Sequence, residues 1–226
     1  MKVCILLNGK INDYSIIKQF INNQNYDYII CADGGANHAY KMNITPNYII
    51  GDSDSINKEV IDFYKKQNIL FEEFPSKKNE TDSELCILLS KSLNASKIDL
   101  FGTLGGRIDH TLANINLLYY IREQEIIPRI ISEQEEIYIA TNECVKIKGN
   151  VNDIISIIPI KGDAKGVTLE NLEYPLNNYD MNYSTPLGIS NIMLSEECKI
   201  AVKKGSLLII RNKWKMSILN IVCLFF

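Results

Sequence analysis

The sequence predicts an α/β protein in which an N-terminal domain built on a parallel sheet is followed by a smaller all-β domain. Three observations carry this. Up to about Ile131, short β-branched apolar runs alternate with helical stretches, the pattern of a parallel sheet with crossover helices. From about Glu135 onward strands follow one another closely and no amphipathic helix interrupts them. Of the 12 glycines, seven (Gly9, Gly34, Gly35, Gly51, Gly102, Gly105, Gly106) fall in the first 106 residues, each just after a predicted strand.

In order, the first domain is expected to hold strands at Lys2 to Leu7, Tyr28 to Ala32, Tyr48 to Ile50, Ile69 to Phe74, Lys97 to Phe101 and Arg129 to Ile131. Helices fill the gaps, notably Lys58 to Gln67, Thr81 to Lys91 and Asp109 to Glu123. The second domain's strands are expected at Glu135 to Ala140, Glu143 to Lys148, Ile154 to Pro159, Val167 to Leu169, Lys199 to Val202 and Ser206 to Ile210. Turn signals at Gly149-Asn150, Lys161-Gly162-Asp163 and Lys204-Gly205 separate them, as antiparallel hairpins require. These readings divide the chain into domains at 1–132 and 133–212 and an apolar tail at 213–226.

The 226 residues, 46% hydrophobic and 23% charged, are enough to bury a sizeable core. A net charge of -3 with scattered lysines provides no basic stripe for a polyanion, so nucleic acid is not expected as a partner. The six cysteines stand far apart without CxxC or zinc spacing, which reads as buried reduced thiols in a cytoplasmic protein. The apolar run in MKVCILLNGK is too short for a signal-peptide core, and the apolar end Trp214 to Phe226 falls short of the roughly 18 to 20 residues that span a bilayer, so no membrane partner is expected.

The chemistry gathers in loops at strand ends, where open parallel sheets bind their ligands. Cys31-Ala32-Asp33-Gly34-Gly35-Ala36 places an acid and two glycines after a strand, the composition that lets a backbone approach phosphate at a helix start. In Ile50-Gly51-Asp52-Ser53-Asp54-Ser55 alternate carboxylates would point the same way from an extended loop, and hard magnesium favours such oxygen ligands. Phe101-Gly102-Thr103-Leu104-Gly105-Gly106-Arg107-Ile108-Asp109-His110 sets glycines before an arginine fork and an acid suited to a helix start. A fourth stretch, Pro75 to Glu84, enters a helix whose first turn carries Asp82 and Glu84, which dipole complementarity alone would explain. The Asp33 loop has an ordinary reading as a common acidic-glycine turn, and the Asp52/Asp54 loop as a solvated turn. Their co-location at strand ends favours metal ligands, a phosphate cradle and a cation acting together.

GxxxxGK[ST], GxGxxG after the first strand, GxSxG and HExxH are all absent, which removes P-loop, dinucleotide, hydrolase-elbow and zincin chemistry. With only His38 and His110, histidine-based metal or triad chemistry is hard to build; His38 reads as structural, and His110 divides evenly between helix-end packing and a site role.

ADGGA (32–36), GDSDS (51–55), the Lys78 to Asp82 stretch and GGRIDH (105–110) resemble, in order and spacing, the motifs of thiamine pyrophosphokinases. Gly166 to Leu169, Leu172-Glu173-Tyr174-Pro175-Leu176 and Gly188-Ile189-Ser190-Asn191 are similar to that family's thiamine-binding region. The resemblance implies an ATP-binding α/β nucleotide-binding domain, a β-sandwich domain, and a homodimer with its active site at the subunit interface. It also implies transfer of the ATP diphosphate to the thiamine hydroxyl with release of AMP. Carried onto this chain, Asp52 and Asp54 hold Mg2+, Asp33 is a further metal ligand or supports the ion through water, and Arg107 and Lys78 take phosphates. Asp109 orients Arg107 or contacts the substrates, Asp82 completes the acidic cluster, and Gly34, Gly35, Gly102, Gly105, Gly106 and His110 line the ATP phosphates. Ser190 and Asn191 are assigned to thiamine. The only tryptophan, Trp214, lies beyond that last motif, a departure from the pattern. Rival readings are another alcohol acceptor such as a hydroxymethylpterin, a non-catalytic sensor, and a magnesium-dependent phosphohydrolase.

Overall fold

The computed structural model describes residues 1–73 and 80–213 and divides into two compact units, Met1–Glu133 and a second that begins at Gln134. Lys78 and the rest of the Pro75 to Asn79 stretch, and the tail from Trp214, lie outside the described residues.

The first unit holds a parallel sheet of β1 (Lys2–Leu6), β2 (Tyr28–Ala32), β3 (Tyr48–Gly51), β4 (Leu70–Glu73), β5 (Lys97–Phe101) and β6 (Ile127–Ile131). Their spatial order is β4-β3-β2-β1-β5-β6, every pair parallel. The strands are short apolar runs because both faces are covered. On one face Cys4, Leu6, Cys31, Ile49 and Phe101 pack with Ile17, Ile21, Ala36, Ala39, Val60 and Tyr64. Those partners come from α1 (Tyr14–Gln24), α2 (Gly35–Lys41) and α3 (Lys58–Lys66). Alternation sends Ile5, Ile30, Ile50 and Leu100, all fully buried, to the other side, where α4 (Asp82–Ser92) contacts β2 and β3 and α5 (Ile108–Glu123) contacts β6.

Local chemistry explains the helix ends. Asp13 caps α1, accepting from the Ser15 and Ile16 N–H groups at 2.9 and 3.2 Å, and Ile17 and Ile21 then bury one stripe, each contributing about 1.5–3 kcal/mol. Thr81 and Glu84 form a capping box at the start of α4, the Glu84 carboxylate accepting the Thr81 N–H at 2.8 Å. Mid-sheet, Asp99 is 1% exposed and holds Arg129 through two bonds of 3.0 and 2.7 Å, while the Tyr26 hydroxyl donates to it at 2.6 Å. Burial, and after it the Asp99 charge, pushes the Tyr26 phenol far up.

The second unit is antiparallel. β7 (Glu135–Thr141) pairs with β13 (Lys204–Asn212), and β13 pairs with the first half of β9 (Ile154–Glu170). The second half of β9 pairs with β10 (Leu176–Met181) and β12 (Glu197–Ala201), β12 pairs with β8 (Cys144–Lys148), and β11 (Asn191–Ile192) joins β9 at Ile154 and Ile155. Ile155, Ile157, Val167, Leu169, Ile200 and Leu207 form its core. The hairpin expected at Lys161-Gly162-Asp163 is instead a bend inside one strand: Lys161 (φ 64) and Gly162 (φ 119) turn the chain locally while β9 continues through to Glu170.

Of the described cysteines, Cys4, Cys31, Cys86 and Cys198 are buried thiols, and burial raises the thiols of Cys4, Cys31 and Cys198, the last to about 11. Cys144 departs from the expectation: it opens β8 on a solvent-facing position and is exposed. Among the described residues no helix is long and apolar enough to cross a membrane.

Candidate active site

The acids of the first two loops meet at the carboxyl ends of β2 and β3. One carboxylate oxygen from each of Asp33, Asp52 and Asp54 lies within 4.8 Å of the others. The means differs from the extended loop the sequence suggests. Asp52 to Ser55 is a turn in which Ser53 takes φ 66, and the Asp54 N–H donates to Asp52 Oδ1 at 3.3 Å. A side-chain hydrogen bond within the turn thus does what alternation along a strand would have done.

Gly51 lets a fourth acid approach. At φ 144 it occupies a region that side chains rarely adopt, and a Cβ there would lie 3.0 Å from Asp33 Cβ and 3.2 Å from Asp82 Cγ. The two acids opening α4 therefore separate in role: Glu84 closes the capping box, and Asp82 turns toward Gly51 and Asp33.

Asp33 is half-buried with φ 42, and its Oδ1 is buried without a hydrogen-bond partner among the described residues. Burial pushes its carboxyl above the usual range, Asp54 and Asp82 add to the rise, and hydrogen bonds from Ser55 and the Gly34 N–H oppose it. A buried, unpartnered carboxylate oxygen beside two further carboxylates is the donor set a hard divalent cation takes, so the residues present fit magnesium.

Sequence reasoning missed the residue that shapes this loop. Asn37 of α2 donates from Nδ2 to the Ser55 carbonyl at 2.9 Å and accepts the Asn57 N–H at 3.0 Å, fixing both ends of the turn's exit. Its one available signal was position, two residues beyond the second glycine. Those glycines, Gly34 and Gly35, open α2 and are buried. A Cβ on Gly35 would sit 2.0 Å from the Leu6 carbonyl oxygen, so close helix-strand packing requires glycine there. His38 has the structural role expected, its ring between the Tyr14 hydroxyl at 2.9 Å and the Gly9 carbonyl at 2.7 Å, and burial lowers its pKa.

The third loop presents a separate, exposed group. Gly102, Gly105 and Gly106 all take positive φ, and Arg107 precedes α5 with Nε and Nη2 donating to Asp109 at 3.1 and 2.5 Å. That pairing raises the Arg107 pKa and lowers that of Asp109. Asp109 thereby holds the Arg107 guanidinium from two residues along the chain. The His110 N–H donates to Asp109 at 2.9 Å, and its ring is exposed.

Residues 18–129 match the family model for the thiamin pyrophosphokinase catalytic domain, and residues 135–207 match that for the thiamin pyrophosphokinase vitamin B1 binding domain. A thiamine pyrophosphokinase of Bacillus subtilis is 31% identical over 184 residues, spanning 81% of this chain and 86% of its own. The chain belongs to the thiamine pyrophosphokinase family. Thiamine pyrophosphokinase 1 of Arabidopsis thaliana is 28% identical, over 84% of this chain and 77% of that one. The crystal structure of the Bacillus subtilis thiamine pyrophosphokinase superposes with a TM-score of 0.85 at 28% identity, covering 95% of this chain and all of that one.

Within the unit matched by the family's vitamin B1 binding model, Ser190 is exposed at φ 59, and its N–H donates to the Ser156 hydroxyl at 3.1 Å. Asn191 is 4% exposed and grips Tyr174 from both sides: Oδ1 accepts the Tyr174 N–H at 2.9 Å and Nδ2 donates to the Tyr174 carbonyl at 2.8 Å. Oδ1 also accepts the Ile192 N–H at 2.9 Å. Asn191 thus links the LEYPL and GISN segments that thiamine pyrophosphokinase likeness had singled out separately.

Proposed function

We propose that this protein transfers the diphosphate of ATP to the hydroxyl of thiamine, giving thiamine diphosphate and AMP. The observation that carries the reading is the convergence of Asp33, Asp52 and Asp54, with Asp33 Oδ1 buried and unpartnered, in a member of this family. In the reaction the thiamine oxygen bonds to the β-phosphorus of ATP as the bond from that phosphorus to the oxygen shared with the α-phosphorus breaks. AMP departs with that oxygen, and the hydroxyl proton passes to water or to a carboxylate of the site. Such a step needs positioning and charge neutralisation more than covalent catalysis.

Asp33, Asp52 and Asp54 would hold the ion, with Asp82 beside them, and Asn37 keeps their loop in place. Mg2+ bound there supplies charge neutralisation and orientation for the phosphate oxygens. Arg107, held in a fork by Asp109, reads as a phosphate contact, with Lys78 as a second. The glycines at 34, 35, 102, 105 and 106 and His110 belong to the same phosphate-facing loops. Ser190 contacts thiamine in this reading, while Asn191 acts by holding Tyr174. The α/β unit is then the nucleotide-binding domain, 1–132, and 133–212 a β-sandwich domain, in a cytoplasmic homodimer with its active site at the subunit interface.

The test is incubation of purified protein with ATP, magnesium and thiamine while AMP and thiamine diphosphate are followed together by chromatography. Equal, thiamine-dependent appearance of both is expected. ADP or inorganic phosphate in their place would sink the assignment.

A further inference from the structure

We propose that Lys10 contacts the phosphate chain of ATP, an inference that rests on the nucleotide-dependent reading above. Strand order supplies the first argument. The chain steps outward from β1 through β2, β3 and β4, then returns to place β5 on the other side of β1, so progression reverses between β1 and β5. Ligands of open parallel sheets bind outside the strand ends at such a reversal.

The two loops leaving this point are joined by their backbones. The Leu7 N–H donates to the Phe101 carbonyl at 2.9 Å, Gly9 to Gly102 at 2.6 Å and Lys10 to Leu104 at 2.9 Å. Lys10 therefore rides on the glycine loop that carries Arg107, with its Cβ against Gly105. Together with Gly102, Thr103, Leu104, Ser132 and Glu133, Lys10 lines a small cleft. Thr103 in its wall is 2% exposed, and Thr103 Oγ1 has no hydrogen-bond partner among the described residues.

Charge supplies the second argument. Arg107, the motif cation of this loop, is already countered by Asp109, while Asp33, Asp52, Asp54 and Asp82 concentrate negative charge at the neighbouring strand ends. Lys10 is exposed and has no acidic partner among the described residues. An ammonium on a flexible stem, anchored at its backbone on the loop that carries Arg107, is suited to a phosphate oxygen. No motif marks it, because Asn8-Gly9-Lys10 precedes the first of them.

The experiment compares wild type, Lys10→Ala and Lys10→Arg as full chains. With magnesium present, calorimetry would measure affinities for α,β-methylene-ATP, AMP and adenosine, and the forward assay would give kcat and KM for ATP and thiamine. Loss of a charge-assisted bond of about 1.5–3 kcal/mol predicts a fall of about 10- to 150-fold in analogue affinity for Lys10→Ala. Lys10→Arg should recover most of it, and adenosine affinity and the KM for thiamine should stay within about twofold, well below one tenfold step. If AMP weakens too, the contact is to the α-phosphate; if not, to the others; both outcomes support the proposal. Unchanged analogue affinity overturns it, as does a parallel loss for adenosine, which would mean a disturbed loop. Wild type that binds the analogue but forms no thiamine diphosphate would refute the reaction and leave this contact standing.

Discussion

Replacing Asp33 by Asn separates what the acid cluster does for function from what it does to the fold. Oxygens of Asp33, Asp52 and Asp54 lie within 4.8 Å of one another, and at that distance two unit charges repel by about 0.9 kcal/mol in bulk water and about 3.5 kcal/mol at an effective dielectric of 20. Asp52 and Asp54 are exposed, which favours the lower end. Asn tolerates φ 42 and keeps an oxygen for Ser55 and the Gly34 N–H. The metal-free variant should therefore be about 1–2 kcal/mol more stable than wild type, a rise in Tm of about 2–8 °C for a chain of this size. The assay is thermal unfolding in chelator and again in magnesium. A hundredfold excess over Kd adds about 2.7 kcal/mol to the wild type, and less to the variant, so the order should reverse. The pH dependence follows from the raised Asp33 carboxyl. Its ionisation costs stability above its folded pKa, so the variant's advantage should be full near neutrality and should close as pH falls toward the ordinary value of 3.8. An Asn variant less stable than wild type in chelator, or one with an equal gain from magnesium, would refute the reasoning.

Asn191→Ala should cost about 2–4 kcal/mol in urea unfolding, since the Tyr174 N–H and carbonyl lose their partners, and should raise the KM for thiamine but not for ATP. Gly35→Ala places a Cβ 2.0 Å from a backbone oxygen, and a loss of about 1–3 kcal/mol or more, read from the Tm, is expected. Asp99→Ala removes the buried carboxylate that holds Arg129 and should lower stability by about 3–5 kcal/mol, measured by urea titration; a change under about 1 kcal/mol would mean the pair is solvated.

The parallel strands were legible because fully covered strands read as unbroken apolar runs, and Tyr28–Ala32 and Lys97–Phe101 stand where those runs placed them. β10 and β11 were not. Leu176–Met181 is largely exposed and polar, and Asn191–Ile192 is a two-residue pairing, so neither carries a period that a chain reading detects. The bend at Lys161-Gly162 carries a hairpin's turn chemistry, and only the pairing partners on both sides reveal one continuous strand.

For the site, the sequence by itself determined which groups are present: carboxylates at 33, 52, 54 and 82, glycines at the strand ends, and an arginine two residues before an acid. Those follow from residue type and spacing, because a loop after a strand has few places to go. Only the tertiary structure decided which of them share a volume. Asp82 reaches Asp33 past Gly51, Asn37 holds the Ser55 turn, and Asn191 takes hold of Tyr174 across 17 residues. Each depends on contacts between elements remote in the chain, and such contacts leave no periodicity within any one of them.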